Sequence, residues 1–354
     1  MDISEAFGVD AILVTSGTNR RYLTGFTAED HAPDESSGVV LVTDSGLSLF
    51  TSPTNLPWAV SEAKEGIEVL AATRPWTSGV SAAVLDRGIR RLGIEDGTTT
   101  VRDHAALRQD LGSPIELVPL GDGVDRLRAI KRADELASIE SALRLTDLAF
   151  ERASAQIHVS MTERALAELI RAELRNVGSD GEAFPTNVAS GPNAAKPHHV
   201  PGDRPIADGE PVIIDMGAKV DGYCGDLTRT VWIGQPSERL VTIYRVVAGA
   251  QHAAIAAVQQ GKPAKAVDQV ARDVCEAAGM GEYVIHSLGH GLGLRIHEAP
   301  SVSQASHDTL RTGHVITIEP GLYVAGWGGV RIEDVLLVED SGYRNLTGAT
   351  KRIP

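Results

Sequence analysis

The stretch Val212-Ile-Ile-Asp-Met-Gly-Ala-Lys-Val-Asp-Gly-Tyr-Cys-Gly-Asp-Leu-Thr-Arg-Thr-Val-Trp232 constrains the fold more than any other. It opens on an apolar run (Val212, Ile213, Ile214), passes turn residues (Asp221, Gly222) and ends in a β-rich run (Thr228, Thr230, Val231, Trp232). That order predicts a β-hairpin. A four-residue turn over Lys219–Gly222 sets Asp215 directly opposite Asp226. A two-residue turn at Asp221-Gly222 leaves them diagonal. In both registers the two aspartates share a face, about 5–8 Å apart. Like charges that close, in apolar surroundings, repel strongly. Either one aspartate holds a proton or a cation lies between them.

The rest of the chain offers enough material for two domains: 354 residues, 42% hydrophobic and 23% charged. Residues 1–125 alternate short strands and helices. The expected strands include Ala11–Thr15, a hairpin over Gly38–Thr51 turning at Asp44-Ser45-Gly46, Ile67–Leu70 and Gly93–Glu95, with a helix over Val80–Leu92. This is an α/β domain with a mixed sheet. Residues 126–354 read as helix, helix, hairpin, helix, helix, hairpin, an α+β pattern that suggests an internal duplication. Residues 123–157 are charged and helix-forming. Ser160-Met-Thr-Glu163 has the form of a capping box opening a helix that ends at Gly178. Further helices are expected over Ser237–Gln259 and Pro263–Ala278, and strands over His314–Glu319 and Gly329–Glu339.

Composition also limits the partners. A net charge of −14 argues against nucleic acid and anionic membranes. No apolar run approaches the roughly 18–20 residues of a membrane span. The start, Met1-Asp-Ile-Ser-Glu-Ala-Phe7, lacks the basic and apolar regions of a signal peptide. Two cysteines, Cys224 and Cys275, are too few for a disulfide scaffold. The cytoplasm is the expected setting, and Cys224 reads as a packing residue.

Three segments add metal-ligand chemistry to the aspartate pair. His286-Ser-Leu-Gly-His-Gly-Leu-Gly-Leu-Arg-Ile-His-Glu298 sets histidines among glycines, so His290 can point where a regular helix would not place it. In Val315-Ile-Thr-Ile-Glu-Pro-Gly321, Glu319 ends an apolar strand that Pro320 stops. In Gly328-Gly-Val-Arg-Ile-Glu-Asp334, alternation puts Arg331 and Glu333 on one face and Val330 and Ile332 on the other. Taken singly, each residue has an ordinary structural explanation. Together, Asp215, Asp226, Glu319 and Glu333 would carry four negative charges, which two divalent cations neutralise. Oxygen-rich ligation with one imidazole favours Mn, Co, Mg or Zn. Such a pair of ions suits metal-assisted amide hydrolysis.

At these residues the chain resembles the prolidase and aminopeptidase P branch of the pita-bread metallopeptidases. The resemblance spans nearly the whole chain. It is densest in His286–Glu298, Asp215…Asp226, Ile318-Glu-Pro-Gly321 and Val330-Arg-Ile-Glu-Asp334. It implies a C-terminal pita-bread catalytic domain over 126–354, behind a creatinase-type N-terminal domain over 1–125 that serves oligomerisation and active-site capping. Asp215 would bind one metal, Asp226 and Glu333 would bridge two, and His290 and Glu319 would complete the sites. Two ions, Mn or Co, with Zn as a further candidate, are implied. Glu319 would also shuttle the proton to the leaving nitrogen. His198 and His297 would orient substrate and stabilise the oxyanion. Arg331 would bind substrate or hold the metal ligands, and His286 would support the ligands from behind or be structural. His199, next to His198, receives no role.

The implied activity is hydrolysis of the Xaa-Pro bond in dipeptides (prolidase), with removal of a residue from longer peptides (aminopeptidase P) as the alternative. A creatinase-like enzyme conflicts with the intact ligand set, and a methionine aminopeptidase conflicts with the N-terminal domain. A non-catalytic binding protein on this fold is the alternative from another class. The resemblance further implies a homodimer, in which Asn19–Phe26 marks the N-terminal domain and His31, in the polar loop 27–37, is a candidate to reach a partner's site.

Overall fold

The computed structural model describes residues 3–32, 35–72 and 74–352. Pro33 and Asp34 of the polar loop, and Met1 and Asp2 of the amino terminus, lie outside the described residues. The chain divides into two compact units, Met1–Arg128 and Ala129–Pro354.

In the first unit a six-stranded sheet runs in the order Glu68–Ala71, Gly46–Thr51, Gly38–Thr43, Ala11–Val14, Arg91–Ile94, Glu116–Pro119. Ala11–Val14 pairs antiparallel with Gly38–Thr43 and parallel with Arg91–Ile94, so the sheet is mixed, as its sequence predicts. Both faces are covered. Leu13, Leu41 and Phe50 pack with Val80, Val84 and Leu107 on one side, while Ile12, Val14 and Val40 pack with Phe26, Ala59 and Val124 on the other. A sheet buried on both faces needs such continuous apolar strands. The helix expected over 80–92 instead spans Trp76–Asp86. Gly88 takes a left-handed φ of 66° and ends it, which frees Arg91–Ile94 to pair with Ala11–Leu13.

The second unit repeats one pattern twice. Helices Ala133–Ser154 and Glu163–Asn176 cover a sheet ordered Leu227–Val231, Val212–Met216, Asn187–Ser190, through a core holding Phe150, Leu166, Ile170, Val212, Ile214 and Leu227. Helices Glu238–Ala256 and Ala264–Ala277 then cover strands Val315–Ile318 and Asp334–Glu339, through Val247, Val267, Ile316, Ile318 and Leu336. The opposite faces carry smaller apolar clusters, Ala189, Ala194, Ile213 and Tyr323 in the first half and Val315, Val335 and Leu337 with Ile139 and Leu143 in the second.

Several expected elements are corrected. The helix-forming stretch 123–157 is broken into Gly123–Arg126 and Ala133–Ser154. The capping box fails. Thr162, rather than Ser160, caps the helix by accepting from the Ala165 amide, and Ser160 sits at a φ of 73°. The strand expected over Gly329–Glu339 is two strands. Gly328–Arg331 pairs with Gly321–Val324, and Asp334–Glu339 pairs with Val315–Ile318. The chain therefore changes sheets twice, at Glu319-Pro320 and at Ile332-Glu333, and a glutamate stands at each change.

Candidate metal centre

The first hairpin takes the tighter of its two registers. Val220 pairs with Tyr223 across Asp221-Gly222, whose φ values of 50° and 79° are both positive, as the favoured two-residue hairpin turn requires. Asp215 thus opposes Thr228, and Asp226 lies diagonal to it. Ile214 and Met216 enter the core behind, so alternation turns Asp215 to the open face.

His290 comes from the short strand Gly289–Gly291. A Cβ on Gly289 would lie 2.0 Å from the Thr317 carbonyl oxygen, and one on Gly291 would lie 2.2 Å from that of Ala299. Only glycine admits these neighbouring strands, which explains the Gly-His-Gly sequence. The His290 amide donates to Thr317 Oγ1 at 3.0 Å. Its Nδ1 lies 3.1 Å from the Gly291 carbonyl oxygen. That contact puts the proton on Nδ1 and presents Nε2 to the carboxylates, as metal-ligating histidines require.

Nε2 lies 3.2 Å from Glu319 Oε1 and 3.7 Å from Asp226 Oδ2. Ligand atoms of Asp226, His290 and Glu333 all fall within 4.8 Å of one another. Arg331 holds the opposite side. It donates to Asp215 Oδ2 at 2.6 Å, to Thr228 Oγ1 at 3.1 Å and to the Tyr323 hydroxyl at 2.9 Å. The Tyr323 hydroxyl lies 2.9 Å from His286 Nε2. Arg331 and Glu333 share a face, as alternation predicts, with Val330 and Ile332 in the core behind them. His297 stands edge-on to His290, with ring centroids 4.3 Å apart. His198 is exposed on the turn after Pro197, close enough for its charge to act on Asp215, His286 and His297.

The electrostatics fit divalent cations. Burial, then repulsion from Glu319 and Asp215, pushes the Glu333 carboxyl up to about 8. Burial, then Glu333 and Asp215, pushes Asp226 well above the carboxylate range. Burial also raises Asp215, helped by Glu319 and opposed by Arg331. Glu319 differs. Burial would raise it, but the hydrogen bond and charge of His290 hold it down to about 2. Among the described residues Glu333 Oε1 is buried without a hydrogen-bond partner. An orphaned carboxylate oxygen beside two other ligand atoms suits a bound cation. Oxygen donors with one imidazole suit Mn, Co or Zn.

Tyr323, Thr228 and Thr317 escape the sequence reading. Tyr323 had a signal. In Gly321–Val324, Leu322 and Val324 belong to the core, so alternation turns Tyr323 toward Arg331.

Among the described residues no helix is long and apolar enough to cross a membrane. Residues 137–340 match the model of metallopeptidase family M24, and residues 2–130 match the creatinase/prolidase N-terminal domain. A Xaa-Pro dipeptidase of Pyrococcus horikoshii is 33% identical, over 98% of this chain and 94% of the relative. The solved structure of a Xaa-Pro dipeptidase from Bacillus anthracis superimposes with a TM-score of 0.93 at 34% identity, covering 99% of this chain and 97% of that one. An X-Pro aminopeptidase from Thermotoga maritima superimposes at 0.87 with 30% identity, covering 99% and 98%. The chain belongs to metallopeptidase family M24, with a pita-bread catalytic domain behind a creatinase/prolidase N-terminal domain.

Proposed function

We propose that this chain is a Xaa-Pro dipeptidase that works with two divalent ions, Mn or Co. The observation that carries the metal reading is the buried Asp226–His290–Glu333 cluster with its orphaned Glu333 oxygen. End-to-end similarity to Xaa-Pro dipeptidases supports the substrate class. The higher TM-score and identity to the Xaa-Pro dipeptidase than to the X-Pro aminopeptidase support a dipeptide substrate over longer peptides. Asp215, Asp226, His290, Glu319 and Glu333 would hold the ions, which would supply a Lewis acid for the scissile carbonyl and an activated water.

The chain's own groups do the rest. Arg331 fixes Asp215 and, through Tyr323, His286. Its donors are taken up by these partners, which supports a role in holding the ligands. Thr317 Oγ1, 3.2 Å from Glu319 Oε1, and His290 orient Glu319, whose carboxylate relays a proton to the leaving proline nitrogen. His297 is held below the usual histidine range by burial, then by the charge of His290. It is therefore neutral near pH 7 and offers one N–H to the substrate carbonyl. His198 orients the substrate from the facing turn. The same reading makes the chain a cytoplasmic homodimer, in which residues 1–125 serve oligomerisation and capping.

The test compares Met-Pro with a longer Xaa-Pro peptide, using metal-stripped protein with and without added Mn or Co. Metal-dependent cleavage of the dipeptide alone is expected. Preference for the longer peptide would replace dipeptidase with aminopeptidase. Cleavage of neither, despite bound metal, would remove the proline assignment.

A further inference from the structure

Glu163, which the sequence offers as part of a helix cap, does something else. Its side chain is fully buried and gathers donors from four positions of one loop. Oε1 accepts from the Ser190 amide and hydroxyl, both at 2.8 Å, and from Asn193 Nδ2 at 3.1 Å. Oε2 accepts from His199 Nε2 at 2.8 Å and from the Gly202 amide at 3.2 Å. Burial raises this carboxyl, but the Ser190 amide, His199, Asn193 and the Ser190 hydroxyl outweigh it and hold Glu163 below the usual range. It is an anion near pH 7, and charge-assisted bonds of this kind are the stronger ones.

The loop it gathers carries His198. On the other flank, the Pro197 carbonyl accepts from Asn187 Nδ2 at 2.8 Å and from Arg331 Nη1 at 3.4 Å. The backbone around His198 is thus tied on one side to the strand opposite Asp215 and on the other to Glu163. Among the described residues the His198 imidazole has no hydrogen-bond partner, and it is exposed.

We propose that Glu163 and His199 are positioning residues for His198. The pair fixes the peptide 197–199 so that the neighbouring imidazole meets the substrate. This rests on the reading above in one respect, that His198 touches substrate. Glu163 and His199 bond to each other and to this loop, so the pair acts on the site through the loop that carries His198.

The experiment measures kcat/KM for Met-Pro with Mn-loaded full chain, and Mn affinity by calorimetry. The variants are His199→Phe, His199→Gln, Glu163→Gln and His198→Ala, with the double variant His198→Ala/His199→Phe. His199→Phe is expected to lower kcat/KM by about tenfold to a hundredfold, the usual scale for residues that orient a functional group. His199→Gln, which keeps a donor within reach of Glu163, restores most of it. Mn affinity stays at the wild-type value. In the His198→Ala background, His199→Phe costs nothing further.

An equal loss in both backgrounds, or a changed Mn affinity, would overturn the positioning role and leave the peptidase reading intact. Full activity of His198→Ala would remove the substrate contact and this proposal with it. A wild-type chain that binds Mn and cleaves no proline peptide would sink the peptidase reading first. Because His199 is partly exposed, its variants answer the question even if Glu163→Gln fails to fold.

Discussion

Glu95 in the first unit and Glu333 in the second are both buried glutamates whose carboxyls burial raises. Their surroundings differ. Glu95 Oε2 accepts from the Thr15 and Ser16 amides at 2.6 and 2.7 Å, and Oε1 accepts from Asn19 Nδ2. Asn19 Oδ1 in turn accepts from Arg128, which pairs with Asp125 at 2.7 Å. Arg20, buried nearby in the same helix, pairs with Asp30 at 2.8 Å. Around Glu333 the neighbours that matter most are other acids, and one of its oxygens has no partner among the described residues. A buried charge whose bonds are all made serves the fold. A cluster of like charges with an unmade bond costs stability until something else arrives, and such sites are where function is to be sought.

The largest effect should come from neutralising the mismatched cluster. Glu333→Gln is expected to lower kcat/KM for Met-Pro by about a thousandfold, roughly 4 kcal/mol of transition-state stabilisation. In metal-stripped protein above about pH 8, where Glu333 gives up its proton, the same substitution removes a repelled buried charge, so it should raise the melting temperature there. Loss of activity with a gain in stripped-state stability is the signature of a site that trades stability for function. A stripped variant that melts below the stripped wild type at that pH would show that Glu333 is matched after all, and the contrast with Glu95 would fall.

The pH dependence sharpens the same point. The Glu333 carboxyl moves from an ordinary 4.5 to about 8, so the stripped native chain binds this proton more tightly than the unfolded chain does. Its contribution is fully present below about pH 4.5 and is lost as pH rises through about 8. Asp226 adds in the same direction. His290, raised chiefly by its bond to Glu319 against burial, also loses its contribution as pH rises above its ordinary 6.5. Glu319, held down to about 2, acts only on the acid side, below about pH 4.5. Stripped protein should therefore melt at progressively lower temperature from about pH 5 to about pH 8, and Mn should flatten that slope by taking the place of the protons. A stripped chain equally stable across this range would break the argument.

What the sequence discloses follows from how local the determining forces are. The aspartate hairpin, the alternation of Arg331 and Glu333 and the glycines around His290 are readable because period, turn and steric fit act over a few residues. The hairpin register was open between two turns. It is settled by Asp221, which accepts a left-handed backbone that few other side chains tolerate. Glu163 misleads because its spacing from Ser160 imitates a cap, while its partners lie at positions 190 to 202. The sheet changes at Glu319 and Glu333 are hidden for a similar reason, since each strand looks continuous until its two separate partners are known. The Glu95 cluster joins residues about as distant as Asn19 and Arg128, and no local pattern announces it.

The smallest expected effect lies in that cluster, and it completes the comparison. Glu95→Gln keeps the shape but cannot keep the bonds. With its amide nitrogen toward Thr15 and Ser16, two donors face a donor; reversed, the nitrogen faces Asn19 Nδ2. One set of bonds is lost in either orientation, at a cost of about 1–3 kcal/mol. Relief of the burial penalty on the charge offsets part of this, so the net loss should fall toward the lower end. Calorimetric unfolding should show it as a lower melting temperature for the stripped and the Mn-loaded chain alike, with Mn affinity unchanged. The sign is the decisive feature. The same Glu-to-Gln change should destabilise where every oxygen is used and, above about pH 8, stabilise the stripped protein where one is not. Two destabilisations would mean that Glu333 is as well satisfied as Glu95, and that the unpaired oxygen has a partner in solution even without metal.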